Sequence, residues 1–374
     1  MPANVISFLN LPAEYKQHQK KIDAAIRNVL QSGQFINGKA VKEFSVRFGN
    51  YLSANHVIPC ANGTEALQIA LMALALQPGD EVILPAFTYA APIEVVCLLG
   101  LKPVLVDVNY HTFNINVDEV ERRITKKTKA IIPVHLFGQS TQLEPLLELA
   151  KAHNLYIIED NAQGAGIDYR FANGKSRKTG TIGDMGCFSF FPSKNLACYG
   201  DGGAITTQNE VLAERAKKIA RHGQSQKYHH EAIGLNSRLD TLQAAVLNVK
   251  LTYLNQQNAK RQQIAATYND ALKTVEDIVL PKKVSYSSHI YHQYTIRVKN
   301  QKRDALKQHL AKNGVSTMVY YPLPLHKQKA YKPYLTKGKF PIAGQSCEET
   351  LSLPVHPYLS AEEVGLICKT IESF

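Results

Sequence analysis

Apolar runs broken by polar, glycine- and proline-containing stretches recur through the first two-thirds of this chain. VIPC (57–60), EVILP (81–85), PVLVD (103–107), KAIIPV (129–134), LYIIE (155–159), CFSFF (187–191) and GAITT (203–207) read as seven short strands. They are nearly continuous in apolar character, the mark of strands covered on both faces. Between them lie helical patterns: an amphipathic stretch over 14–31 ending near Gly33, ANGTEALQIALMALAL stopped by Pro78-Gly79-Asp80, a polar stretch before KAIIPV, PLLELAKAHN, and 209–220. Strand and helix alternating in this way predict an α/β fold with a doubly wound, mainly parallel sheet.

The remainder changes character. One long helix is expected over about 242–272, apolar first and polar later, linking a large domain (1–250) to a small α+β domain (251–374). In the latter, HQYTIRV, VSTMVYY and LSLP read as strands and RDALKQHLAKNG as a helix with a glycine stop. Ser360 and Glu363 form a capping box for a last helix.

Composition alters this picture little. The 374 residues are 45% hydrophobic, enough for a large core, and the formal charge is +12. The basic residues are dispersed, with only short clusters such as 122–129, whereas a nucleic-acid binder concentrates them on a stripe or tail. The excess suits steering of a small anionic substrate, or simply a solvated basic surface. Six cysteines without a CxxC pair indicate neither a zinc site nor a disulfide framework. The adjacent His229 and His230 lack a third ligand at metal spacing, so no metal is expected. The amino terminus lacks a signal-peptide pattern and no run is long enough to span a membrane, giving a cytoplasmic expectation.

The chemistry concentrates between Leu155 and Ala204. Asp160 follows one apolar strand, Gln163 lies three residues on, and Lys194 follows a second strand, ahead of a Gly200-Asp201-Gly202-Gly203 turn. Ligands of open α/β sheets sit beyond the carboxyl ends of the strands, where these residues fall. A lysine amine able to form a Schiff base, with a carboxylate for a pyridinium nitrogen, is the protein half of pyridoxal phosphate chemistry. A single lysine taken alone is far more often a solvated surface charge, and it is the spacing and the neighbours that point to the chemistry. Gly63 and Thr64 open a helix, where backbone N–H groups favour a phosphate, although an ordinary helix start has the same pattern. Phe87, just past a strand end, fits either core packing or stacking on a flat ring. Arg238 fits a bidentate contact with a carboxylate or a surface ion pair.

The motifs D-x-x-Q, F-S-F-F-P-S-K and G-D-G-G-A, with CANGTEALQIALMAL, ARHGQ, NSRLDTLQAA and LPVHPYL, closely resemble the DegT/DnrJ/EryC1/StrS family of nucleotide-sugar aminotransferases across nearly the whole chain. The resemblance implies the aspartate aminotransferase fold (fold type I) and a pyridoxal 5'-phosphate cofactor, cycling through its pyridoxamine form. It implies Lys194 as the Schiff-base lysine, Asp160 on the ring nitrogen, Gln163 on the phenolic oxygen and Phe87 stacked on the ring. Gly63, Thr64 and Ser189 would take the phosphate, joined by Asn236 from a neighbouring subunit of a homodimer. Arg238, Tyr320, Tyr321 and His326 become substrate residues.

L-glutamate is the implied donor. The implied acceptor is the 3-keto group of UDP-2-acetamido-2-deoxy-3-oxo-D-glucuronate, on a route to bacterial surface polysaccharide. A keto-6-deoxy nucleotide sugar aminated at C3 or C4 is the alternative, and a non-enzymatic binding protein on the same scaffold a further one. The chain departs from the family pattern at Tyr320, where many relatives carry histidine, and at Asn161, Gly164 and Asp201.

Overall fold

A computed structural model describes residues 5–335 and 338–374. Its strands are β1 (His56–Cys60), β2 (Glu81–Pro85), β3 (Lys102–Val106), β4 (Thr128–Ile131), β5 (Tyr156–Asp160), β6 (Asp168–Arg170), β7 (Ser176–Lys178), β8 (Met185–Ser189), β9 (Gly203–Thr207), β10 (Gln224–Gln226), β11 (His229–His230), β12 (Ile278–Val279), β13 (Tyr294–Val298) and β14 (Thr350–Leu353). The seven expected from the apolar runs form one sheet in the order β1-β9-β8-β5-β4-β2-β3. Pairings from β3 through β8 are parallel, and β9 runs antiparallel to both its neighbours.

Alternation along these strands builds two apolar faces. Val82, Leu84, Ile158, Cys187 and Ile205 face the core organised on the helix Gly63–Ala73. Ile83 and Ile157 face the helices Val117–Arg123 and Leu143–His153, while Phe188 and Ala204 face Lys39–Leu52 and Thr241–Leu251. With both faces covered, the strands need no polar side, which is why they read as near-continuous apolar runs.

A second core, built on β12-β13-β14 and the helices Leu254–Leu272 and Ala361–Glu372, holds Tyr268, Tyr294, Ile296, Leu353 and Ile367. The capping box at Ser360 and Glu363 is present. The amino-terminal Ile6 joins this core and bridges Val315, whereas Leu325, Phe340, Ala343 and Cys347 join the core of the large sheet. The chain therefore crosses between the two cores at its beginning and again after residue 320.

Two expectations are corrected. The long helix is two, Thr241–Leu251 and Leu254–Leu272, broken at Thr252 and Tyr253. The break falls where burial changes partner. Leu247, Leu251 and Leu254 serve the large core, and Ile264, Ala265 and Tyr268 the small one. VSTMVYY is not a strand; among the described residues it makes only isolated bridges, Val315 with Ile6 and Met318 with Ser352. Its apolar residues serve separate partners, and Tyr320 and Tyr321 pack back against the large core.

Candidate active site

The helix Gly63–Ala73 starts against the end of β8. Asn62 caps it, its Oδ1 accepting from Glu65 N–H at 2.8 Å while its amide donates to Glu65 Oε1 at 3.0 Å. The fit to β8 is close: a Cβ on Gly63 would lie 2.7 Å from that of Ser189. Gly63, Thr64 and Ser189 thus meet at one helix N-terminus, where the dipole and free N–H groups favour an anion.

Asp160 ends β5 in register with Cys187 of β8. It is 5% exposed, and its Oδ1 accepts from Ala162 N–H at 3.1 Å. Its other oxygen has no hydrogen-bond partner among the described residues. Burial pushes its carboxyl up, against the lowering pull of the Ala162 N–H, Lys194 and His135. Lys194 lies on the turn after β8, its backbone N–H donating to Phe191 carbonyl at 2.8 Å. The residue keeps part of its surface open, yet enough protein surrounds it that lost hydration lowers its amine to about 8, opposed by Asp160. Schiff-base formation uses such an amine in its neutral form.

Phe87 is 1% exposed, within an aromatic group comprising Phe113 at 5.9 Å, Phe137 at 6.4 Å and Tyr321 at 5.8 Å between ring centres. Gln163 ties this group together. Its Oε1 accepts from Phe137 N–H at 2.6 Å and its amide donates to the Tyr321 hydroxyl at 3.2 Å. Tyr320 is half-buried, its ring 6.1 Å from Phe8.

Other expected residues are not joined to this group by any hydrogen bond or ring contact among the described residues. His326 packs on Phe340 at 4.9 Å, and its buried Nδ1 has no partner among the described residues. Asn236 is exposed and Arg238 half-buried; between them, Ser237 Oγ accepts from Ala61 N–H at 3.1 Å, so the segment lies beside the turn leading into Gly63. Arg238 lines a separate cavity of about 310 Å³ with Lys42, Lys217 and Arg221.

Sequence reasoning missed several neighbours. Tyr89, exposed, faces Tyr321 at 6.2 Å. Asn195, next to Lys194, donates to Asn258 Oδ1 at 2.8 Å and accepts from His292 Nδ1–H at 3.1 Å. Only its adjacency to Lys194 offered a signal, since Asn258 and His292 arrive from the distant part of the chain.

The model of the DegT/DnrJ/EryC1/StrS aminotransferase family matches residues 16–372, and the chain belongs to that family. Among individual proteins it is similar to the UDP-2-acetamido-2-deoxy-3-oxo-D-glucuronate aminotransferase of Pseudomonas aeruginosa, 44% identical over 98% of this chain and 99% of that one. Solved structures similar to it include S. venezuelae DesV (TM-score 0.95, 38% identity, covering 99% of this chain and 98% of that one). Another is NtdA of Bacillus subtilis with bound cofactor PMP (TM-score 0.91, 31% identity, 100% and 86% covered).

Proposed function

We propose that this aminotransferase moves an amino group from L-glutamate to the 3-keto group of UDP-2-acetamido-2-deoxy-3-oxo-D-glucuronate, with pyridoxal 5'-phosphate as cofactor. The residues present fit that cofactor: a buried carboxylate with one oxygen unpartnered, a lysine amine lowered toward neutrality, and a capped helix start lying against Ser189. Bound pyridoxal phosphate supplies an electron sink and carries the amino group between donor and acceptor as its pyridoxamine form.

Lys194 Nζ holds the cofactor and then moves a proton at the donor's α-carbon as general base and acid. The Asp160 carboxylate keeps the ring nitrogen protonated, because an adjacent negative charge favours the charged form. Gln163 holds the phenolic oxygen and Phe87 the ring face. Gly63, Thr64 and Ser189 hold the phosphate, completed by the partner subunit's Asn236 in a homodimer. Tyr320, Tyr321 and His326 are assigned to the sugar side. No described helix is long and apolar enough to cross a membrane, and we place the reaction in the cytoplasm.

The observation that carries the acceptor is the likeness, over nearly the whole chain, to an aminotransferase of UDP-2-acetamido-2-deoxy-3-oxo-D-glucuronate, and Arg238 is assigned to the uronate carboxylate, which its planar fork matches. The visible spectrum of the purified protein tests the reading. Glutamate should remove the Schiff-base band and only the 3-oxo uronate restore it. Restoration by a 4-keto-6-deoxy sugar nucleotide instead, with no response to Arg238→Ala, would overturn the acceptor. Absence of any band after added pyridoxal phosphate would overturn the cofactor.

A further inference from the structure

Asn195 follows Lys194 on the same turn and is buried. Its Nδ2 donates to Asn258 Oδ1 at 2.8 Å and to Ile290 carbonyl at 3.3 Å, and its Oδ1 accepts from His292 Nδ1–H at 3.1 Å. Asn258, buried on the helix Leu254–Leu272, turns its own Nδ2 the other way and donates to Ala165 carbonyl at 3.2 Å. Ala165 is the second residue after Gln163. One side-chain amide thus holds both the turn bearing Lys194 and the turn bearing Asp160 and Gln163. The second contact is tight: Gly166 has φ +104°, and a Cβ there would lie 2.8 Å from Asn258 Nδ2.

A longer path joins the same two turns. Ile290 N–H donates to Gly138 carbonyl at 2.9 Å and Gln293 N–H to Phe137 carbonyl at 3.3 Å, while Phe137 N–H is the donor to Gln163. Residues 290–293 therefore meet Asn195 on one side and the support of Gln163 on the other. Within them Tyr291 has φ +46°, a left-handed backbone unfavourable for an aromatic residue, and its ring stacks on His289 at 3.8 Å. His292 is buried, and its titration is pushed well below the usual value, first by burial and then by Lys194 and Arg261 nearby. The neutral ring with its proton on Nδ1 is the form that donates to Asn195 and leaves Nε2 to accept from Gln293 Nε2, 3.5 Å away.

The backbone alone does not set the spacing of these turns. Strands β5 and β8 pair as far as Asp160 with Cys187, and among the described residues no backbone hydrogen bond joins 162–166 to 191–197. A misplacement of about 1 Å in a reacting group can slow a reaction about a hundredfold. The amides of Asn195 and Asn258 are what spans the gap.

We propose that Asn258, with Asn195 and His292 beside it, is a positioning residue for the transamination: it fixes the turn bearing Lys194 against the turn bearing Asp160 and Gln163. The inference rests on the cofactor reading above, which gives those turns their roles, and goes beyond it by assigning the support that keeps them in register.

The first measurement needs no cofactor. Acetic anhydride labels a neutral amine, and labelling of Lys194 in the cofactor-free protein is followed against pH by peptide mass spectrometry. In wild type the midpoint should fall at about 8. Asn258→Leu keeps the shape of the side chain and removes both its hydrogen bonds, which releases the turn and lets water reach the amine. Lost hydration is the larger influence on this amine and Asp160 the smaller, so the midpoint should rise. A rise of about one pH unit is expected, a roughly tenfold smaller neutral fraction at pH 7. The groups facing the amine are Asp160 from β5, His292 and, across a small cavity beside it, Glu14, Arg261, His356 and Tyr358. None of them is replaced in this variant, so the rise reports position. Asn195→Ala releases the same turn from its own side; it should do likewise, and guards against failure of the leucine variant to fold.

Tyr268→Phe is the control. It lies on the same helix and loses a buried hydrogen bond of 2.8 Å to Pro354 carbonyl, far from either turn in the chain, so its midpoint should stay at about 8. A lowered melting temperature with an unmoved midpoint in both asparagine variants, or an equal rise in Tyr268→Phe, would make Asn258 merely structural and overturn the proposal. On the loaded protein, Asn258→Leu and Asn195→Ala should slow turnover about 10- to 100-fold while KM for the sugar nucleotide stays within about threefold. A weakened KM with unchanged turnover would also overturn it. Absence of any Schiff-base band in wild type would strike the cofactor reading alone, and the labelling profile would still decide for or against the support of the turns.

Discussion

At the scale of single residues, Asp160 and Lys194 are held in states that cost the cofactor-free protein and suit the loaded one. The Asp160 carboxyl is pushed up by burial. A raised acid binds its proton more tightly folded than unfolded, so its penalty is absent at low pH and grows as pH rises above the unfolded value near 3.9. At pH 7, Asp160→Asn should therefore melt the cofactor-free protein slightly higher, by about 2 °C or less per kcal/mol for a chain this long. The same variant should lose most of the stabilisation wild type gains from pyridoxal phosphate, with turnover down by about a hundredfold or more. Calorimetry with and without cofactor measures both; equal stabilisation of the two proteins would contradict the role of Asp160. Lys194 gives a second expectation. Its amine titrates near 8 rather than at the usual lysine value. Capture of pyridoxal phosphate requires the neutral amine, so the capture rate should climb with pH and level off above about 8. Stopped-flow absorbance would show it, and a rise continuing past pH 10 would mean the amine is not lowered.

Among elements, the end of β5 is positioned by a residue that no motif or spacing singles out. Glu159 is fully buried, and accepts from His135 Nε2–H at 2.9 Å and from the backbone N–H groups of Gly180, Ile182 and Gly183 at 2.8, 2.7 and 2.8 Å. Burial pushes its carboxyl up, but these donors together outweigh it and hold it below the usual range. A depressed acid stabilises above its unfolded value, near 4.3, and loses that contribution as pH falls through the folded value. Glu159→Gln should cost about 1–3 kcal/mol at pH 7, the scale of losing charge-assisted hydrogen bonds in a buried site. The gap in melting temperature from wild type should close as pH drops below about 4. A pH-independent gap would point to packing instead.

The contrast with Asp160, one residue on, shows what was legible. The seven strands could be read because burial on both faces leaves a continuous apolar run, and ligand residues could be placed because strand ends point one way. Glu159 reads as one more polar residue at a strand end; its partners come from 135 and 180–183 through the fold. Gln163 with Tyr321, and Lys194 with Arg261, are likewise brought together by packing rather than spacing. The break at Thr252 and the loss of a strand over 315–321 have the same origin, since apolar residues there serve two cores and periodicity does not say which.

For the whole molecule, the decisive question is whether one chain can complete its own site. Asn236 is exposed in the single chain, on a segment tied to the Ala61 turn through Ser237. If it serves the phosphate of a neighbouring subunit, Asn236→Asp should weaken pyridoxal phosphate strongly by setting a carboxylate beside a phosphate, and Lys194→Ala should be inactive. The two defects lie in different halves of a shared site. When the variants are unfolded together and refolded at equal ratio, about half the dimers are mixed, and in each mixed dimer one site combines Lys194 of one chain with Asn236 of the other. Activity should return to about a quarter of wild type, from two preparations that have almost none. A site built within one chain predicts no recovery, because every site would then carry one defect or the other. A monomer with full activity in sedimentation would exclude the shared site.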